Sequence, residues 1–189
     1  MTRRGLLQGM LVAGLWNTLT GRAGAAEPQV KDMRGIQELQ NNWKALLAEG
    51  AKVPAAGEPL KLSNQEWRKR LDPMAYHVLR EEGTERAGTS PLNHERRPGV
   101  FACAGCDLPL FTSAMKYDSG TGWPSFFTTI PGVFATKTDY KLILPRTEYH
   151  CVRCGGHHGH VFDDGPPPTG QRWCNNGVAL KFIPKTARA

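Results

Sequence analysis

CVRCGGHHGHVF, residues 151 to 162, sets a CxxC pair, a Gly-Gly turn and His157, His158 and His160 side by side, and its reading decides the fold. The pair Cys151 and Cys154 needs a mate. Upstream stands Cys103-Ala104-Gly105-Cys106, and residues 107 to 150, 44 positions, separate the two pairs. Two such units fit one tetrahedral Zn²⁺ site. A two-residue spacer lets both thiolates of a turn face a single ion, and the second turn closes the shell. Gly105, Gly155 and Gly156 permit the tight backbone these knuckles need. With Cys103, Cys106, Cys151 and Cys154 all bound, no coordination position stays open, so the metal has a structural role and metal-assisted hydrolysis is disfavoured. An iron–sulfur centre or two disulfides are the rival readings. Bridges within a CxxC turn are usually redox-active rather than architectural.

Around the knuckles, from Gly99 onward, short apolar runs carry β-branched and aromatic residues: Val100-Phe101, Tyr140 to Leu144 and Val178 to Ile183. Gly, Pro, Asn and Asp separate them, a pattern of strands and loops. Ahead of this half, Ser63-Asn64-Gln65-Glu66 is a capping-box pattern and Asp72-Pro73 an N-cap followed by a first-turn proline. These predict short helices over about 64 to 71 and 73 to 81. The expected class is mainly β (α+β): a small antiparallel sheet domain with short N-terminal helices and a structural zinc knuckle pair. Met33, Ile36, Leu39, Trp43, Leu46 and Leu47 form one more helical stripe, ended by Gly50. A breaker-rich connector, Val53 to Pro59, follows it. The helix is expected to pack on its own domain, with a partner-binding arm as the alternative. No internal repeat is visible beyond the cysteine pairs.

The first residues read as an export signal. Arg3-Arg4 precedes an apolar run, Leu6 to Leu19, and Ala23-Gly24-Ala25 has the form of a signal-peptidase site. The run is too short for a permanent membrane anchor, which needs roughly 20 apolar residues. The paired arginines suit the twin-arginine route, used by proteins exported folded, although they also occur in ordinary leaders. Residues 1 to 25 are thus assigned to a signal for a periplasmic protein and 26 to 62 to an extension. Loss of Arg3, Arg4 and Arg22 lowers the formal charge from +7 to +4. The remaining basic residues between 61 and 97 are interleaved with Glu66, Asp72, Glu81, Glu82, Glu85 and Glu95, as on solvated faces. No nucleic-acid partner is expected.

One cysteine stands outside the pairs. Cys174 lies two residues after Arg172, and in an extended segment such residues face the same side. A nearby cation favours the nucleophilic thiolate, and the histidines at 157, 158 and 160 are candidate acids near neutral pH. An inert core cysteine is the plain alternative.

Asp72 to Arg80, Gly83 to Arg86, Cys103 to Cys106, Tyr117-Asp118-Ser119-Gly120-Thr121-Gly122-Trp123-Pro124-Ser125-Phe126, Arg146-Thr147-Glu148, His157 to Pro166 and Thr169 to Asn176 together resemble the B-type methionine sulfoxide reductases, which act on the R epimer. The motifs run in the family's order over about 63 to 184, taken as the catalytic domain, and leave residues 185 to 189 as a tail. The resemblance implies a zinc-stapled β domain. In it Cys174 attacks the sulfoxide sulfur and becomes a sulfenic acid, with His157 or His160 as proton donor or positioning group and His158 as a bystander. Trp123 offers an aromatic face to the substrate methyl, and Phe162 walls the pocket. Arg172 stabilises the thiolate, Asn176 orients a polar partner and Asp164 holds a histidine. A core role is the plain alternative for Trp123 and Phe162.

The implied substrates are oxidised proteins or free methionine sulfoxide. A resolving cysteine common in the family is replaced here by Thr121, so an external thiol reductant of thioredoxin-like or other type is implied. Asn175 and Gly177 also depart from the family's usual apolar residue and serine. The alternative from another class is a zinc-ribbon binding module without catalysis.

Overall fold

The computed structural model describes residues 30–141 and 144–185. Among the described residues three short helices, α1 (Met33–Asn41), α2 (Asn64–Arg70) and α3 (Pro73–Glu81), precede nine strands. The strands are β1 (Gly99–Cys103), β2 (Pro109–Thr112), β3 (Lys116–Tyr117), β4 (Ser125–Phe126), β5 (Phe134–Asp139), β6 (Arg146–Cys151), β7 (His157–Phe162), β8 (Arg172–Asn175) and β9 (Leu180–Pro184). They make a three-stranded sheet, β2-β1-β9, and a six-stranded sheet, β3-β4-β8-β7-β6-β5. Every pairing is antiparallel. The chain is mainly β with short helices, as the sequence implies.

The helix ends are locally encoded. Ser63 accepts from the Glu66 amide while the Glu66 side chain accepts from the Ser63 amide. Asp72 caps α3, whose first position is Pro73. Both helices bury one face: Trp67 of α2 and Ala75, Tyr76, Val78 and Leu79 of α3 join a core with Phe101, Phe111, Phe126 and Tyr149. Phe111 and Phe126, one from each sheet, stack at 3.9 Å between centroids.

The CxxC units are the turns of two hairpins in different sheets. Cys103 ends β1 and Cys106 lies in the turn to β2; Cys151 ends β6 and Cys154 lies in the turn to β7. Asp107 and Gly155 take the left-handed conformation that closes each turn, and their amides donate to Cys103 O at 2.9 Å and Cys151 O at 2.8 Å.

Two expectations change. The stripe over 33 to 47 is not one helix: α1 stops at Asn41, and Trp43–Leu46 forms a tighter turn that packs on β1 and β2. Tertiary packing of Trp43 overrides helical spacing there. Nor do Tyr140, Lys141 and Leu144 belong to a strand. β5 ends at Asp139, and Tyr140 and Leu144 are 77% and 75% exposed, so these apolar side chains are not drawn into a core. Residues 142 and 143 lie outside the described set, as does the expected export signal.

The 30–62 segment packs on its own domain. Ile36 is buried, Leu39, Trp43, Leu60 and Leu62 pack on the core, and Gln40 Nε2 donates to Thr128 Oγ1 at 2.8 Å. The Leu60 amide donates to Arg153 O at 2.7 Å, tying the connector to the second knuckle.

Candidate active site

Strand register builds the site. β7 and β8 pair so that His160 lies opposite Cys174 and Phe162 opposite Arg172, while β4 places Ser125 on the other flank of Cys174. Directly opposed residues have Cβ atoms about 5 Å apart. A cavity of about 120 Å³ opens there, walled by Thr84, Trp123, His160, Phe162, Cys174 and Asn176.

Cys174 is half-buried and its thiol is pushed up from the ordinary value by burial, with Arg172 and a hydrogen bond from Thr121 pulling the other way. Arg172 thus favours the thiolate, as expected, but burial outweighs it. Its guanidinium is shared with Asp164, through bonds of 2.7 and 2.9 Å, and lies 4.3 Å over the Phe162 ring. Asp164 holds that arginine, not a histidine as expected.

The acids that do hold the histidines carried no assigned role in the sequence. His160 Nε2 meets Asp139 at 2.7 Å, and Asp139 also accepts from Arg146 at 2.6 Å. The Lys141 amide, with His160 and Arg146, keeps the Asp139 carboxyl well below its usual range. Burial lowers the His160 pKa against the pull of Asp139, so the ring is neutral near pH 7. His157 is buried behind the cavity and bonds Glu148 at 2.6 Å; its ring centroid is 5.5 Å from that of His160. Glu148 takes a second bond, 3.1 Å, from His150. His158 points to the opposite side, between Phe134 and Tyr149, where burial lowers its pKa to about 3. A role for it in proton transfer does not arise.

Glu85 is a further residue that sequence reasoning missed. Placed among solvated acids, it is instead 3% exposed. Its backbone carbonyl accepts from Trp123 Nε1 at 3.2 Å, its amide donates to Asn176 Oδ1 at 2.9 Å, and its carboxylate accepts from the amides of Gly177 and Val178. One residue thus fixes the aromatic wall and the floor of the cavity. Gly177 follows from this: a Cβ there would stand 1.9 Å from Ser90 Oγ, so serine does not fit. Asn175 is fully buried but satisfied, accepting from Tyr149 OH at 3.0 Å and donating to Asn176 O at 2.7 Å. Asn176 Nδ2 donates to His158 O at 3.0 Å, so its amide braces the strands as well as lining the cavity.

The other four thiols form a separate buried centre, with all ligand atoms within 4.8 Å of one another. Cys103 and Cys154 Sγ are 3.7 Å apart and Cys106 and Cys151 Sγ 3.5 Å. A disulfide would need about 2.0 Å, whereas a ZnS₄ tetrahedron with Zn–S of about 2.3 Å has edges of about 3.8 Å. The donor set fits the metal. Hydrogen bonds that Cys103 donates to Cys106, Cys151 and Cys154, with burial behind them, push its thiol well above the ordinary value, while Cys106 and Cys154 are held down, so the four share protons and a cation is what lets all of them ionise together. Three arginines brace the knuckle carbonyls: Arg70 on Gly105 O at 2.6 Å, Arg80 on Cys154 O at 2.8 Å and Arg153 on Cys106 O at 3.0 Å.

Residues 71–184 match the family model described as the SelR domain. The chain is 52% identical over 122 residues to the chloroplastic peptide methionine sulfoxide reductase B1 of Arabidopsis thaliana, an alignment covering 64% of this chain and 60% of that protein. Against the peptide methionine sulfoxide reductase MsrB of Agrobacterium fabrum it is 50% identical over 123 residues, 65% of this chain and 91% of the relative. The MsrB of Pseudomonas putida matches at 51% over 122 residues, 64% and 92% of the two chains. The match spans the hairpin thiols, Glu85 and the Cys174 cavity alike, and on it the chain belongs to the SelR domain family.

Proposed function

We propose that this protein is a methionine-R-sulfoxide reductase with Cys174 as nucleophile. The observation that carries the reading is the cross-strand pairing of Cys174 with a neutral, Asp139-held His160 in a cavity walled by Trp123. Near pH 7 the pair rests as thiol and imidazole. As Cys174 Sγ bonds the sulfoxide sulfur, His160 accepts the Cys174 proton and returns it to the sulfoxide oxygen. That oxygen then passes to Cys174 Sγ: a new S–O bond forms as the old S–O bond and the transient S–S bond break, which releases the thioether and leaves Cys174 as sulfenic acid. Two equivalents of an external thiol then restore the cysteine, giving a disulfide and water. Trp123 takes the substrate methyl against its face, a contact worth about 0.3–1.5 kcal/mol. Arg172, Asp164 and Phe162 form a stacked unit at the cavity edge.

Cys103, Cys106, Cys151 and Cys154 would hold a structural Zn²⁺, which when bound locks the two hairpins together. On the sequence alone, Arg3-Arg4 and Ala23-Gly24-Ala25 support an exported, periplasmic protein. A mature chain beginning near Ala26, seen by mass spectrometry of the native host's periplasm, checks this.

The decisive experiment is turnover of both methionine sulfoxide epimers with dithiothreitol, with Cys174→Ser beside the wild type. Reduction of the R epimer alone, lost in the variant, is expected. A zinc module that only binds partners would reduce neither.

A further inference from the structure

The catalytic cavity, about 120 Å³, has about the room that one methionine side chain needs and none for the polypeptide on either side of it. Flanking chain must therefore leave over the neighbouring surface. A larger groove of about 710 Å³ lies there, lined by Leu144, Pro145, Thr147, Val161 and Asp163, and it shares Arg146 and Phe162 with the cavity as a common wall. Its character is apolar. Leu144 is 75% exposed, and the charge of Arg146, the one cation among the described lining residues, is already met by Asp139 at 2.6 Å. An apolar surface of this kind, continuous with a reacting centre and carrying no unpaired cation, suits an apolar side chain and not an acidic or free-carboxylate ligand.

Resting on the reductase reading, we propose that this groove is a docking surface for the client polypeptide, which places an apolar side chain from within two or three residues of the oxidised methionine between Leu144, Val161 and Phe162. The occupant is thus a protein segment in which the oxidised methionine sits among other apolar residues. Such segments are common, because methionine is mostly a core residue, and oxidation that turns its side chain polar disrupts the packing around it. Free methionine sulfoxide fills the cavity and leaves the groove empty.

The test compares kcat/KM of the full chain, with dithiothreitol, on N-acetyl-methionine-R-sulfoxide and on two blocked pentapeptides with the R-sulfoxide at the centre, one flanked by leucines and one by serines. Wild type is expected to favour the leucine peptide by about tenfold over the serine peptide, the scale of one well-filled apolar contact, with the difference in KM. Leu144→Asp should erase that preference without changing the N-acetyl substrate, and Leu144→Met should keep it. Equal kcat/KM for the two wild-type peptides, or a Leu144→Asp loss that is the same on all three substrates, overturns the docking surface alone. No turnover of any substrate overturns the reductase reading and this inference with it.

Discussion

The hairpin thiols and the Cys174 cavity put one functional group in two environments. In the first, four thiols are buried among core side chains within 4.8 Å of one another, and Arg70, Arg80 and Arg153 brace the backbone carbonyls of their two turns. In the second, a lone half-buried thiol faces a cavity with a histidine opposite it and a hydroxyl beside it. Both raise the cost of an uncompensated thiolate. On the proposed reading they differ in what would relieve it: a structural metal ion in one, a proton passed to a neighbouring base during turnover in the other. Burial by itself therefore does not distinguish a structural cysteine from a reactive one; the access and the partner do.

The sharpest way to break this comparison is to remove one structural thiol. Cys103→Ser should lose zinc and cooperative folding together, since structural zinc contributes on the order of 10 kcal/mol in small domains; elemental analysis and thermal melts read it. A folded, zinc-free variant would show that the core alone holds the two sheets.

On the catalytic side, His160→Asn should lower kcat by about 10²–10⁴-fold, the scale of general acid–base catalysis. The wild-type pH profile has a worked sign. Activity needs neutral His160 and protonated Cys174. It should fall as pH drops through the lowered His160 pKa, below 6.5, and fall again as pH rises through the raised Cys174 pKa, above 9.0. The acid limb should vanish in His160→Asn. By contrast His157→Asn, behind the cavity on Glu148, should reduce thermal stability more than it moves either limb.

Thr121→Cys sharpens the comparison differently. The Thr121 hydroxyl lies close enough to the Cys174 thiol to lower its pKa, so the introduced thiol should convert the dimedone-trappable sulfenic acid into a 121–174 disulfide, read by mass spectrometry. Persistence of the sulfenic acid would mean that this loop moves away during turnover.

The smallest effect is expected at the thiol centre's rim. Arg80→Met keeps the packing on Trp67 but leaves Cys154 O without its charged donor. The cost should be about 1–3 kcal/mol, seen as faster zinc release to a chelator at unchanged kcat.

Local spacing determined a good deal by itself. Two CxxC turns, a capping box and Asp72-Pro73 are encoded within a few residues each, and the knuckles, α2 and α3 stand where those patterns put them. Cys174, His160 and Trp123 were legible as site residues from motif order, and they meet at one cavity. Only the tertiary structure decided who partners whom. Asp139 and Glu148 reach their histidines through strand pairing across 21 and 9 positions, Glu85 reaches Gly177 across 92, and no periodicity records such distances. The same holds for the errors. Tyr140 and Leu144 carry the residue types of a strand, but β5 has already ended, and only the position of the sheet edge shows that their apolar side chains face outward. Arg172 is no error, since it does pull Cys174 towards thiolate, yet the sign of the net shift follows from how much water the folded cavity removes and from the carboxylate that shares the cation, neither of which exists until the chain is folded.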